Sequence, residues 1–380
     1  MKQDTNGSKP WSIPIFDAPL TAPFPSSMLM TLIASIAGLY FMGVSDTLIS
    51  SDANRRPAPE VLLPLFDSEQ RVQHAGSSVV GLAQKAILFD SRTLFMWAGS
   101  KVVAESVART VNELVLSGAK FDFYRVIDNM GLLHSELDSV SLIFHRHLDN
   151  LKIDRKSHGV KVIHHDGDVI HFSGSGLFDF ADSTSVAVGN APLDGNLHFI
   201  HKWIARTLDA IMREAFSGEP LEFMYGGWFE FVLNDAGDTF VKVPYLIKFW
   251  TLTQNHLDET LPSIFSWYNN DHLFIRRAMS HRYNVCVVSD PLKRKPLSDT
   301  LDPWKPSQEP SFQIHVVQMP EKNATKIFIQ SQSAQKYRLR VRDGGVGVDV
   351  EYDQSLIEEF EQAFQGGSVN YHLSRAFGTE

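Results

Sequence analysis

The spacing of apolar positions changes several times along the chain, and each change marks an element. Residues 31–49 hold two apolar, strand-sized halves, TLIASIA and LYFMGVS, split at Gly38. They predict a tight hairpin that ends at Asp46. After a partly proline-rich excursion over 50–80, QKAILFDSRTLFMWAGS predicts short strands over 85–89 and 93–98, joined by a turn at 90–92. Ser100 is placed to cap a helix in which Val103, Val107, Val111, Leu114 and Val115 recur at helical spacing, stopped by Gly118. A second helical segment over 121–137 carries Phe123, Val126, Ile127 and Met130 on one face. A strand over 139–144 follows, then the hairpin VKVIHHDGDVIHF turning at Asp166 and Gly167. The strongest helical stripe runs from Phe199 through Trp203, Leu208 and Ile211 to Ala215; it predicts a helix over 194–216, ended by Gly218. LEFMYGGWFEFVLND and DTFVKVPYLIKFW then predict two strands around a turn at 235–237.

Hairpins and helices in this order would be buried by two sheets with helices on their outer faces. The expected fold class is therefore α+β, a four-layer αββα sandwich. Singly alternating strands and helices, which a doubly wound parallel sheet needs, are not the pattern. Beyond 256 the character changes. There is a basic patch at Lys293, Arg294 and Lys295, a proline-rich loop through Pro310, strand-like stretches near 312–319, 325–330 and 336–342, and an acidic helix near 354–365. The expected organisation is an arm or leader over 1–30, a main domain over 31–255 and a C-terminal α+β extension over 256–380.

Composition narrows the function classes. The chain has 380 residues, 43% of them hydrophobic, enough for a sizeable core. Its net charge of −9 gives no support for nucleic-acid binding. One cysteine, Cys286, excludes an intrachain disulfide framework and argues against a cysteine-based zinc site; it reads as a core residue. A cytoplasmic location is the default. Residues 28–44 are 17 positions without a charge, at the lower edge of a membrane span. No Lys/Arg cluster flanks them, and no charged region leads into them as in a signal peptide, so no membrane association is expected.

Four landmarks in order give the chain a family likeness: the opening hairpin ending in Asp46, the lysine-bearing QKAILFD, MWAGSKVVAESVARTV, and HFSGSGLFDFAD. Over residues 31 to about 250 the chain resembles a proteasome β-type subunit of the N-terminal-nucleophile (Ntn) hydrolase superfamily. Such enzymes attack a peptide carbonyl with the side chain of an N-terminal Thr, Ser or Cys. Carried over, the resemblance implies Thr31 as nucleophile, Lys85 as the lysine whose pKa is lowered, and Asp46 as its carboxylate partner. Ser175 takes the place of the supporting serine. The family's later aspartate falls on Glu222, and its Ser-Gly-Gly serine on Tyr225. Backbone N–H groups of Ala98 and Gly99 would form the oxyanion hole. The glycine usual before the cleaved bond is Met30 here, and Thr31 lies one residue closer to Asp46 than in the family. With period-2 alternation, that offset can turn a side chain to the opposite face.

The implied activity is a threonine-dependent peptidase or amidase acting on a peptide or amide, without cofactor or metal, as a homo-oligomer or with related subunits. The alternative is a non-catalytic, proteasome-like assembly or regulatory subunit. Taken singly, Thr31 reads equally as a β-forming residue, Asp46 as a turn carboxylate, Lys85 as a solvated strand end and Ser175 as a loop serine. His145-Arg146-His147 with Asp149 looks like a metal motif without its last histidine; surface strand histidines explain it as well. His164 and His165 point to opposite strand faces. GGVG at 344–347 lacks the Lys-Ser/Thr of a phosphate-binding loop.

Overall fold

The structure is a computed structural model. It describes residues 31–174, 225–292, 306–331 and 337–373 apart from short segments within them, together with positions 204, 207, 208, 210 and 211. Residues 1–30, Ser175, Glu222, the basic patch at 293–295, GGVG, the turns at Gly38, 166–167 and 235–237, and most of the helix expected over 194–216 lie outside the described residues; the five positions described there that fall between 204 and 211 are helical.

The first half begins with β1 (Ile33–Ala37), β2 (Phe41–Asp46) and β3 (Leu48–Asp52). Then come the short β4 (Val61–Leu62), β5 (Glu69–Gln70) and β6 (Gln73–His74), followed by β7 (Ser77–Leu82), β8 (Ala86–Asp90) and β9 (Thr93–Gly99). Helices α1 (Lys101–Leu116), α2 (Phe123–Asn129) and α3 (His134–Leu137) lead to β10 (Val140–His147), β11 (Ile153–His158), β12 (Lys161–His165) and β13 (Asp168–Ser173). The second half holds β14 (Phe229–Asn234), β15 (Phe240–Lys242), β16 (Tyr245–Thr253), β17 (His256–Asn269), β18 (His272–Met279) and β19 (Arg282–Val288). It ends with β20 (Phe312–Met319), β21 (Ala324–Ser331), β22 (Tyr337–Val341), β23 (Val348–Tyr352), α4 (Gln354–Gln365) and β24 (Tyr371–Leu373).

Three sheets organise these strands. A six-stranded sheet runs β12-β13-β1-β2-β14-β15, a four-stranded sheet β11-β10-β9-β8, and a seven-stranded sheet β19-β18-β17-β16-β20-β21-β24. Pairing is antiparallel throughout them except β16 with β20 and β21 with β24. The apolar run that opens the chain is thus the centre of the six-stranded sheet. Every residue of β1 and β2 is buried because both faces of that sheet are covered. Ile33, Ala37 and Phe41 pack with Met96, Ala98 and Ile143 of the four-stranded sheet. Leu32, Ala34, Ile36, Met42 and Val44 belong to a separate cluster on the other face.

That second face overturns the four-layer αββα expectation. Its cluster holds the helical Ile204, Leu208 and Ile211, but also Ile247, Phe249, Ile264, Ile275, Ile314 and Ile327 of the seven-stranded sheet. The chain is a β-rich, mainly antiparallel fold in which strands dominate. The outer face of the four-stranded sheet meets the expectation of helical cover: Val103, Val107, Val111 and Val115 of α1 and Phe123 and Ile127 of α2 pack against Phe95, Trp97, Leu142 and Phe144. Each valine fully buried there contributes about 1.5 kcal/mol or more.

The reasons are local. In β17, HLDETLPSIFSWYN, Pro262 interrupts the sequence pattern of a strand. In the structure it falls at the register shift between β16 and β17, between the Ile247–Ile264 and Phe249–Leu261 pairs, where a residue without an N–H is tolerated. The excursion over 50–80 contains β3, β6 and β7, which form a small sheet in the order β3-β7-β6. The helix expected over 121–137 is two short helices, the first capped by Asp122, whose carboxylate accepts the N–H of Tyr124 and Arg125. Ser100 occupies the N-cap of α1 without a side-chain cap bond. No helix among the described residues is long and apolar enough to cross a membrane.

Candidate active site

The β1–β2 register sets Ile33 opposite Ser45, which brings Leu32 across from Asp46 and leaves Thr31 two residues before the strand. The shortened spacing therefore does not turn Thr31 away. Its hydroxyl donates to Asp46 Oδ1 at 3.2 Å. Lys85, immediately before β8, extends Nζ to within 2.5 Å of both Thr31 Oγ1 and Asp46 Oδ1. Thr31 is 3% exposed, Lys85 1% and Asp46 0%. Three residues 15 and 39 or more positions apart in sequence are thus brought to one buried point.

Asp46 is fully engaged. Oδ1 also accepts the Leu32 N–H at 2.8 Å, and Oδ2 accepts the Gly226 N–H at 3.1 Å. The YGG turn, read from sequence as the counterpart of a Ser-Gly-Gly, therefore reaches the site through a backbone donor. Tyr225 itself is buried in the cluster between the six- and seven-stranded sheets. Burial pushes the Asp46 carboxyl up and the Lys85 amine down, each opposed by the charge of the other. A nearby second carboxylate, Glu230, also favours the charged lysine.

The remaining expected site residues fall as follows. Ala98 is buried at the end of β9, opposite Ser141 of β10. Next to it, Gly99 lies where a Cβ would come within 2.2 Å of the Ser139 carbonyl oxygen, so no other residue fits. This strand end is tied to the lysine by the Trp97 N–H, which donates to the Lys85 carbonyl at 3.0 Å. Ser175 and Glu222 lie outside the described residues. Gly174, the residue before Ser175, has φ +107° and a Cα so close to Thr31 that a Cβ would sit 2.1 Å from the Thr31 carbonyl oxygen. Gly174 thus passes directly beside the nucleophile position.

Two features escaped the sequence. Glu230 is 0% exposed, because β14 is covered on both faces. His145 and His147, which the sequence left open between a partial metal motif and surface strand histidines, are buried. His145 Nε2 lies 2.8 Å from Ser35 Oγ, and His171 Nδ1 lies 3.5 Å from the same oxygen. They sit between sheets because β10 turns this face toward β1. Burial depresses His145 well below the usual range and His171 to about 4, so both are neutral at pH 7. Among the described residues, no group of three or more His, Cys, Asp or Glu side chains is arranged to hold a metal ion.

Compared with known proteins, the chain matches no family model and no curated relative.

Proposed function

We propose that this protein is an Ntn-type hydrolase, similar in its chemistry to proteasome β-type subunits, that uses Thr31 to cleave a peptide or amide once its amine is exposed. The observation that carries the reading is the Lys85 Nζ, 2.5 Å from both Thr31 Oγ1 and Asp46 Oδ1 in a site closed to water. Burial narrows the gap between the ionised pair and the neutral pair, so the lysine proton can pass to Asp46 and leave an amine able to act as base. Thr31 Oγ1 then gives its proton to Lys85 and bonds to the substrate carbonyl carbon. The tetrahedral intermediate expels the amine, which leaves with a proton, and an ester on Thr31 remains. Water cleaves that ester, regenerating the hydroxyl and releasing the acid. The end of β9 at Ala98 and Gly99 is the expected source of oxyanion donors. No cofactor enters this chemistry. A cytoplasmic setting and assembly with itself or related subunits belong to the same reading.

Hydrolysis of a panel of fluorogenic peptide amides by protein with an exposed Thr31 amine tests it. Thr31→Ala is expected to abolish turnover with folding kept, and equal turnover in both would sink the proposal. A non-catalytic subunit is the second reading, favoured by the 3% exposure of Thr31. Inertness of the exposed-amine form across the panel would support it.

A further inference from the structure

We propose that Glu230 is a positioning residue for Lys85: its carboxylate fixes the backbone from which the lysine reaches Thr31 and supplies a second negative charge beside it. The inference rests on Lys85 being the base of the proposed reaction. Glu230 lies on β14, opposite Ser45 and one residue from the partner of Asp46. Its Oε2 accepts the N–H of Lys85 at 2.9 Å, the N–H of Ala86 at 3.3 Å and the Ser45 hydroxyl at 3.3 Å. Its Oε1 accepts from Lys242 Nζ at 3.1 Å and from the Tyr268 hydroxyl at 3.4 Å. Both oxygens are used, and two consecutive peptide N–H groups are pinned at the lysine itself.

A buried carboxylate is expensive, and packing alone does not require one here. A glutamine would keep the volume. It would also set an NH₂ group either against the two backbone donors or against Lys242 and Tyr268. An ionised carboxylate alone accepts from all five. The groups facing Lys85 are then Asp46 and Thr31 on one side and Glu230 on the other, with Lys242, Tyr268 and Tyr245 around Glu230. Two ion pairs, Lys85–Asp46 and Lys242–Glu230, lie side by side.

The same arrangement anchors this point to the seven-stranded sheet. Tyr268 belongs to β17. Gln84, next to Lys85, accepts from Lys242 Nζ at 2.5 Å and donates to the carbonyls of Asp271 at 2.6 Å and Val288 at 2.8 Å. Residues 84–86 are therefore clamped between the six-stranded sheet and the β17–β19 region. Residues of the C-terminal extension, Tyr268, Asp271 and Val288, thus help to hold the lysine in place.

The test follows the lysine itself in the full chain, by side-chain NMR of ¹⁵N,¹³C-lysine-labelled protein, with Lys85 assigned by its loss in Lys85→Arg. In Glu230→Gln the Lys85 titration is expected to fall by about one pH unit or more, a tenfold loss in proton affinity. A midpoint unmoved from wild type overturns the proposal. Should that variant not fold, Glu230→Asp keeps the charge and shortens the reach. Hydrogen exchange at the Lys85 and Ala86 amides is then expected to quicken at least tenfold while β9 amides keep their protection, and unchanged exchange at both overturns it. Neither readout needs activity. An inert Thr31 with a shifted Lys85 removes the proposed reaction and leaves the positioning role; a reactive Thr31 with an unmoved Lys85 does the reverse.

Discussion

Replacing Asp46 by Asn removes the charge from a carboxylate that accepts four hydrogen bonds and balances a buried ammonium. An Asn with its oxygen toward Lys85, Thr31 and Leu32 turns its NH₂ toward the Gly226 N–H. That leaves one buried donor unsatisfied, at about 1–3 kcal/mol. Lys85 loses its closest counter-charge, a change that in buried pairs costs about 3–5 kcal/mol. Its escape is to become neutral, which at pH 7 costs about 4.6 kcal/mol from an ordinary lysine pKa of about 10.4. Together these predict destabilisation of about 4–8 kcal/mol at pH 7. The sign with pH follows from proton counts. In the variant Lys85 is neutral when folded and protonated when unfolded, so its stability rises by about 1.4 kcal/mol per pH unit until the unfolded lysine titrates. In the wild type the Asp46 charge opposes the lowering that burial imposes on Lys85, so folding strips the lysine of its proton less readily and stability depends less on pH over the same interval. Urea unfolding of both proteins at the two pH values measures this, read from the midpoint at unchanged slope. The deficit should shrink by up to about 1.4 kcal/mol over that interval. A deficit below about 1 kcal/mol, as for surface pairs, or one identical at both pH values, refutes a buried charged pair at this position.

Three other changes have defined outcomes. Gly174→Ala forces a methyl into the Thr31 carbonyl at a positive φ, so it should destabilise by about 3 kcal/mol or more and lower Thr31 reactivity; calorimetry and labelling read both. His171 titrates at about 4 when folded and near 6.5 when unfolded, so its effect is absent above pH 6.5 and stability drains as pH falls toward 4. The loss reaches about 3 kcal/mol, increased by His145, and His171→Gln should flatten the acid limb of a pH–stability profile. Burial pushes the Cys286 thiol up to about 12, so it should resist iodoacetamide at pH 8 until the protein unfolds.

What was legible in the sequence came through the resemblance. It set Asp46, at the end of MTLIASIAGLYFMGVSD, and Lys85, just before AILFD, in paired roles, although taken singly they read as a turn carboxylate and a solvated strand end. Glu230, in WFEFV, matches none of the landmarks that carry the resemblance, and it is buried because β14 is covered on both faces. The histidines at 145 and 147 stayed open for a local reason: period 2 shows that they share a face, not which face is buried. The seven-stranded sheet was the largest miss. Its strands pair across long separations, such as β16 with β20, and no local signal records that Tyr245 will lie beside Phe312.

The central claim is that Thr31, held by Lys85 and Asp46, is a nucleophile. The most direct measurement is mass spectrometry of protein beginning at Thr31, released from a cleavable fusion, after incubation with a peptide epoxyketone. The account predicts a single adduct that maps to Thr31 and disappears in Lys85→Ala. A folded protein with a free Thr31 amine that stays unlabelled, or that is labelled equally without Lys85, would contradict it.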